Sequence, residues 1–179
     1  MKSRLRQALR ANQPLVGTVV TIGSPVIAEI MAIAGWDYIW FDLEHTPMAL
    51  ETLQSMLQAT NGHDVATIVR VSGNDEVLIK RVLDLGPDGI IVPLVNSADD
   101  ARRAVRFLRY PPEGIRGAGL GRAQGYGESG SGNYFEEANR SLAFIAQIEH
   151  IDALLEVLDI VTLSIGHQDE RVGACTAEH

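Results

Sequence analysis

The chain holds one cysteine in 179 residues, Cys175, so an internal disulfide is excluded. A lone thiol agrees with a reducing compartment. Basic charge is also scarce. The 15 Lys and Arg residues are outnumbered by 23 Asp and Glu, giving a net charge of −8. With no basic stripe, neither nucleic-acid binding nor a polybasic membrane anchor is expected. No apolar run is long enough to span a bilayer. Lys2, Arg4, Arg6 and Arg10 resemble the basic start of a signal peptide. The apolar run behind them, residues 15–22, is short and broken by Gly17, and reads better as a first strand. A cytoplasmic protein is expected. A Gly-x-Gly-x-x-Gly turn after that strand is missing as well, which weighs against a dinucleotide fold.

What the chain does have is regular alternation. Hydrophobic residues make up 46%, ordinary for a globular domain. Apolar runs suited to strands lie at 16–22, 38–43, 65–69, 89–92 and 142–148, with 161–165 as a candidate sixth. Between them lie amphipathic stretches with helix signals. Ser24-Pro25, Thr46-Pro47, Asn74 and Ser97 open helices, and Gly35 and Gly86 close two of them. A fifth helix is expected from Ile151, Leu154, Leu155 and Leu158. Alternation of this kind demands parallel strands, and their continuous apolar runs mean that both faces are buried. The two candidates are an open doubly wound sheet and a (β/α)₈ barrel. Polar residues at successive strand ends favour the barrel. A barrel needs roughly 200–250 residues, so an incomplete one with five to six βα units is expected. Residues 1–165 form its one domain, and 166–179 form a tail without helix or strand periodicity.

The strand ends carry the candidate chemistry. Asp42, Glu44 and His45 follow the second strand, Arg70 closes the third, and Gln147 and Glu149 close the fifth. In a barrel these ends meet on one face. A histidine side chain can move a proton in either direction; His45 is read as such a residue, or else as a polar residue opening a loop. Glu149 is read as a metal ligand, with Mg²⁺ or Mn²⁺ favoured for an oxygen donor, against a salt bridge to Arg70 or another arginine. Gln147 shares its face and can donate to a substrate oxygen or to Glu149. Arg70 can hold an oxyanion or a carboxylate, or serve in a structural ion pair. Asp84 sits in the last turn of its helix, where the dipole disfavours an acid. The segment Gly114-Ile-Arg-Gly-Ala-Gly-Leu-Gly-Arg122 is read as a mobile active-site loop or an oligomer contact.

Several segments resemble the HpcH/HpaI class II pyruvate aldolases: Trp40-Phe-Asp-Leu-Glu-His-Thr-Pro47, Val69-Arg-Val71, residues 79–86, residues 91–95, Arg109-Tyr-Pro-Pro-Glu-Gly-Ile-Arg-Gly117 and Gln147-Ile-Glu149. The resemblance runs over about residues 5 to 160. It implies a TIM barrel that makes or cleaves 4-hydroxy-2-oxo or 2-keto-3-deoxy acids through a pyruvate enolate. The implied partners are pyruvate, an aldehyde and a divalent metal, Mg²⁺ or Mn²⁺ with Co²⁺ also admitted. A homo-oligomer is usual in the family. By the same resemblance His45 is the acid/base residue, Asp84 tunes it, Arg70 stabilises the enolate, Gln147 contacts substrate and Glu149 binds metal. Asp42 and Glu44 support them. The family's second metal-binding aspartate corresponds to Asp169, within an altered Gly166-His-Gln-Asp-Glu170 segment, and strands seven and eight are absent. The competing expectation is therefore a catalytically inactive fragment or a non-catalytic subunit. A related acyl-CoA lyase would need a basic nucleotide patch, which is not visible.

Overall fold

Short β-branched runs fold as strands here because helices on one side and a lumen on the other bury both of their faces. This computed structural model describes residues 4–128, 133–165 and 175–176. Its strands are β1 (Gly17–Val20), β2 (Tyr38–Asp42), β3 (Ala66–Arg70), β4 (Gly89–Val92), β5 (Ala143–Ile148) and the two-residue β6 (Cys175–Thr176). They pair in sequence order, every pair parallel. The helices are α1 (Arg4–Arg10), α2 (Pro25–Ile33), α3 (Leu50–Ala59), α4 (Glu76–Asp84), α5 (Ala98–Leu108), α6 (Tyr134–Ser141), α7 (Ile151–Leu155) and α8 (Val157–Ile165). The result is the expected incomplete TIM-type barrel.

Strand periodicity divides the apolar residues into two cores. Ile39, Phe41, Val69, Ile90, Val92, Phe144 and Ile148 face the helices. Trp40, Ile68, Ile91, Ala143 and Ile145 face the lumen. Fully burying one Phe or Ile side chain in the outer core contributes about 1.5–3 kcal/mol. Leu5 of α1 joins the lumen cluster at 5% exposure. The basic N-terminal stretch thus contains an amphipathic helix, with Leu5 and Ala8 buried beneath its charges. Among the described residues β1 pairs only with β2. Its lumen-facing Val19 is 49% exposed, so this side of the barrel stands open among the described residues.

The caps depart slightly from expectation. Asp75, not Asn74, caps α4, accepting from the Val77 and Leu78 N–H groups at 2.9 Å. Asn74 instead donates to the Asp100 carbonyl. Ser97 caps α5 as expected. The helix expected to open at Thr46-Pro47 starts at Leu50. One expectation fails outright: residues 161–165 belong to helix α8, not to a sixth strand. A five-residue apolar run fits either state. Ile160, fully buried beside α5 and β5, commits it to a helix. The preceding Glu156 adds a tether, accepting the Ala98 N–H of α5 at 2.8 Å. No helix among the described residues is long and apolar enough to cross a membrane.

Candidate active site

In-register pairing of β2 with β3 sets Asp42 opposite Arg70, and both are the last residues of their strands. The pairing is a two-pronged fork. Arg70 Nε donates to Asp42 Oδ1 at 2.9 Å, and Nη2 donates to Oδ2 at 2.8 Å. Asp42 is 2% exposed and also accepts the Glu44 N–H at 2.9 Å and the His45 N–H at 3.4 Å. Burial pushes the Asp42 carboxyl upward. The Arg70 hydrogen bond, the backbone donors and the Arg70 charge outweigh that push and hold it below the usual carboxylate range. The Asp42 hydrogen bond in turn raises Arg70 above its ordinary value, against the pull of burial.

The fork consumes one edge of the guanidinium. The other edge, through Nη1, reaches the Gln147 Oε1 at 3.5 Å. Gln147 Nε2 donates to Glu149 Oε2 at 2.7 Å, and the Leu94 N–H donates to Glu149 Oε1 at 3.0 Å. Leu94 holds a left-handed backbone, φ +53°, which is uncommon for a residue with a Cβ. Glu149 is an exposed rim residue, steadied by an amide and a backbone N–H rather than by the salt bridge to an arginine that was the alternative reading.

Glu44 completes the cluster. Its Oε2 lies 3.1 Å from Arg70 Nε and 3.7 Å from His45 Nε2. The Nε–H is directed at Asp42, so this buried oxygen accepts no hydrogen bond. Burial raises the Glu44 carboxyl. Arg70 and His45 pull it down, and Glu149 and Asp42 push it further up. His45 itself is 69% exposed and stands free to meet a ligand. Three carboxylates around one guanidinium leave this end net negative. A buried carboxylate oxygen that accepts no hydrogen bond, beside further carboxylate and amide oxygens, suits a hard divalent cation. Among the described residues no three His, Cys, Asp or Glu side chains converge closely enough to enclose an ion. Asp169, the expected second ligand, lies outside the described residues.

Within this chain the structure places Asp84 apart from His45. Helices run back along parallel strands, so the last turn of α4 lies at the opposite end of the sheet from the strand C-termini. There Asp84 pairs with Arg116 at 3.1 Å. The segment 114–122, expected to be a mobile active-site loop or an oligomer contact, lies at that far end too. Its Gly114 sits against the Arg106 and Arg109 carbonyls, where an added Cβ would come within 2.5 Å. Arg122 pins it by donating to the Leu85 carbonyl, the Leu57 carbonyl and Asn61 Oδ1. The structure therefore brings Asp42, Glu44, His45, Arg70, Gln147 and Glu149 together and leaves Asp84 apart. It adds the Leu94 N–H and the Trp40 ring, whose centroid lies 4.7 Å from Arg70 Cζ. Nothing in the sequence marks Leu94 as left-handed. Trp40 shares the parity of Asp42 along β2, which was the available signal.

Comparison with known proteins identifies relatives. The chain is 40% identical over 163 residues to a hydroxypyruvate/pyruvate aldolase of Sagittula stellata, covering 90% of this chain and 64% of that protein. It is 39% identical to a 4-hydroxy-2-oxo-heptane-1,7-dioate aldolase of Shigella sonnei, covering 89% of this chain and 62% of that one. A crystal structure of a Burkholderia cenocepacia HpcH/HpaI aldolase/citrate lyase family protein superposes with a TM-score of 0.85 at 35% identity, covering 90% and 65% of the two chains. The chain thus spans less than two thirds of the length of these relatives. Residues 17–169 match the pattern of the HpcH/HpaI aldolase/citrate lyase family, and the chain belongs to that family.

Proposed function

We propose that this site performs class II aldolase chemistry, cleaving or forming 4-hydroxy-2-oxo acids, including 2-keto-3-deoxy acids, by way of the pyruvate enolate. The observation that carries the reading is the half-used guanidinium of Arg70. Asp42 locks one edge, and the other faces Gln147 beside Glu149. Such an edge presents two N–H donors to a planar ketoacid carboxylate or an enolate oxygen.

The residues divide the work as follows. Arg70 binds the 2-oxo acid and stabilises the negative charge that develops when the C3–C4 bond breaks. Gln147 holds the neighbouring oxygen. His45 takes the proton of the C4 hydroxyl. The bond electrons pass to the pyruvate enolate and the C4 fragment leaves as an aldehyde. A proton delivered to C3 then completes pyruvate. Glu44 Oε2 lies 3.7 Å from His45 Nε2 and orients the ring. Glu149 would hold a divalent ion, with Asp169 as a proposed second ligand. When bound, Mg²⁺, Mn²⁺ or Co²⁺ supplies Lewis acidity to the ketoacid oxygens. The same reading takes pyruvate and an aldehyde as partners in a cytoplasmic homo-oligomer.

The test is release of pyruvate from 4-hydroxy-2-oxoheptanedioate with Mn²⁺ and with chelator. Release is expected with Mn²⁺ only, falling at least a hundredfold in His45→Ala. Release that persists with chelator, or in His45→Ala, refutes the reading. One observation favours a second reading, a chain inactive by itself. The open β1 edge and the distance of Asp84 from His45 leave the site without parts that the resemblance calls for. No turnover with any of the three metals would support it.

A further inference from the structure

The Asp42 fork fixes where the Arg70 guanidinium sits, but two parallel hydrogen bonds still allow the plane to tilt about the line joining the two carboxylate oxygens. Something must stop that tilt if the free edge is to face Gln147. Trp40 is placed to do so. It lies two residues before Asp42 on β2 and therefore on the same lumen face. Its row across the sheet runs Trp40, Ile68, Gly89, Ala143. The row continues on the other side to Val19 of β1, Ala143 and Ile68 close the space over Gly89, and the indole stands among them in the lumen cluster. The ring lies 4.7 Å from Arg70 Cζ, within range of a cation–π contact. Its Nε1–H is buried and meets no acceptor. Among the described residues no hydrogen bond holds the ring, and the guanidinium lies over its face. An unmet indole N–H is a cost that phenylalanine would avoid. What indole offers in return is the strongest ring face for a cation.

We infer that Trp40 is a positioning residue: its ring supports the Arg70 guanidinium from beneath and fixes the attitude of the edge that receives the 2-oxo acid. The inference rests on the proposed function for its kinetic consequence, but not for the stack itself. The test compares the parent chain with W40F, which keeps an aromatic face, and W40L, which fills the row without one. Two measurements are made. One is the Arg70 Nε–H proton resonance, which a ring beneath the guanidinium moves upfield. The other is exchange of pyruvate C3 protons with deuterated solvent in the presence of Mn²⁺, which needs no aldehyde. The resonance should stand upfield in the parent and W40F and return to the ordinary arginine position in W40L. The exchange kcat/KM should fall about tenfold in W40L, chiefly through KM, and less than about threefold in W40F.

A parent resonance at the ordinary position overturns the inference. So does W40L exchange equal to the parent's, or an equal loss in both variants. If the parent exchanges no protons, the proposed function fails. The resonances then decide the stack alone: upfield in the parent and W40F but not in W40L upholds it, and any other pattern overturns it.

Discussion

The two ends of the sheet each hold arginines, and they use them differently. At the strand C-termini, Arg70 meets Asp42 along one edge and keeps the other toward Gln147. At the strand N-termini, Arg122 donates to carbonyls that follow or end α4 and α3, and Arg116 closes an ion pair with Asp84 over the Tyr110 ring. The first arrangement leaves the guanidinium edge beyond the fork directed at Gln147, beside Glu149. The second turns guanidinium groups into staples for helix ends and a glycine-rich loop. An arginine becomes a ligand-binding group by what its partners leave unsatisfied, and its mere burial does not decide the matter.

That contrast can be broken most forcefully at Arg70. Arg70→Ala strands a carboxylate that is 2% exposed, and should cost roughly 3–5 kcal/mol in urea unfolding. Asp42→Asn keeps the shape but loses the charge-assisted fork, and roughly 1.5–3 kcal/mol is expected. It should also remove an acid sensitivity. Asp42 is held below its ordinary value, so its contribution is present above the unfolded carboxyl pKa and lost as pH falls through the lower folded one. A melting series on the acid side should show a shallower fall for Asp42→Asn than for the parent.

At the other end, Arg122→Ala should lose about 1–2 kcal/mol of stability while leaving pyruvate proton exchange unchanged. A loss of exchange there would erase the distinction between the two ends. The smallest stability effects belong to the acidic rim. Glu149→Gln replaces an exposed side chain and should shift stability by no more than about 0.5 kcal/mol, yet abolish Mn²⁺ binding in a metal titration. Glu44 carries the opposite sign to Asp42. Its folded pKa is raised, first by burial, so its ionisation opposes folding above that pKa and the penalty fades as pH drops through it. Glu44→Gln should raise the melting temperature slightly at neutral pH, with the gain vanishing in acid.

Much of the site was legible because strand parity and strand ends are simple rules. Residues that close parallel strands converge, and Asp42, Arg70, Gln147 and Glu149 do so. Alternation demanded parallel strands, and polar residues at successive strand ends favoured the barrel order of β1 to β5. What stayed hidden depended on which end of the sheet a residue reaches. Asp84 and the segment 114–122 look functional by composition, but a helix C-terminus returns to the floor of the barrel. The run 161–165 read as a strand because five apolar residues do not distinguish the two periodicities, and packing of Ile160 settled it. The α1 helix was masked by its own charges. Leu94 was invisible, since its contribution is a backbone N–H in a conformation its side chain does not announce.

The central claim is that the free edge of Arg70 receives a 2-oxo acid and stabilises its enolate. The most direct measurement is deuterium incorporation at pyruvate C3 by the parent chain and by Arg70→Lys, which keeps the charge but not the planar fork. The account predicts Mn²⁺-dependent incorporation in the parent and a fall of at least a hundredfold in Arg70→Lys. Equal incorporation in the two chains would contradict it.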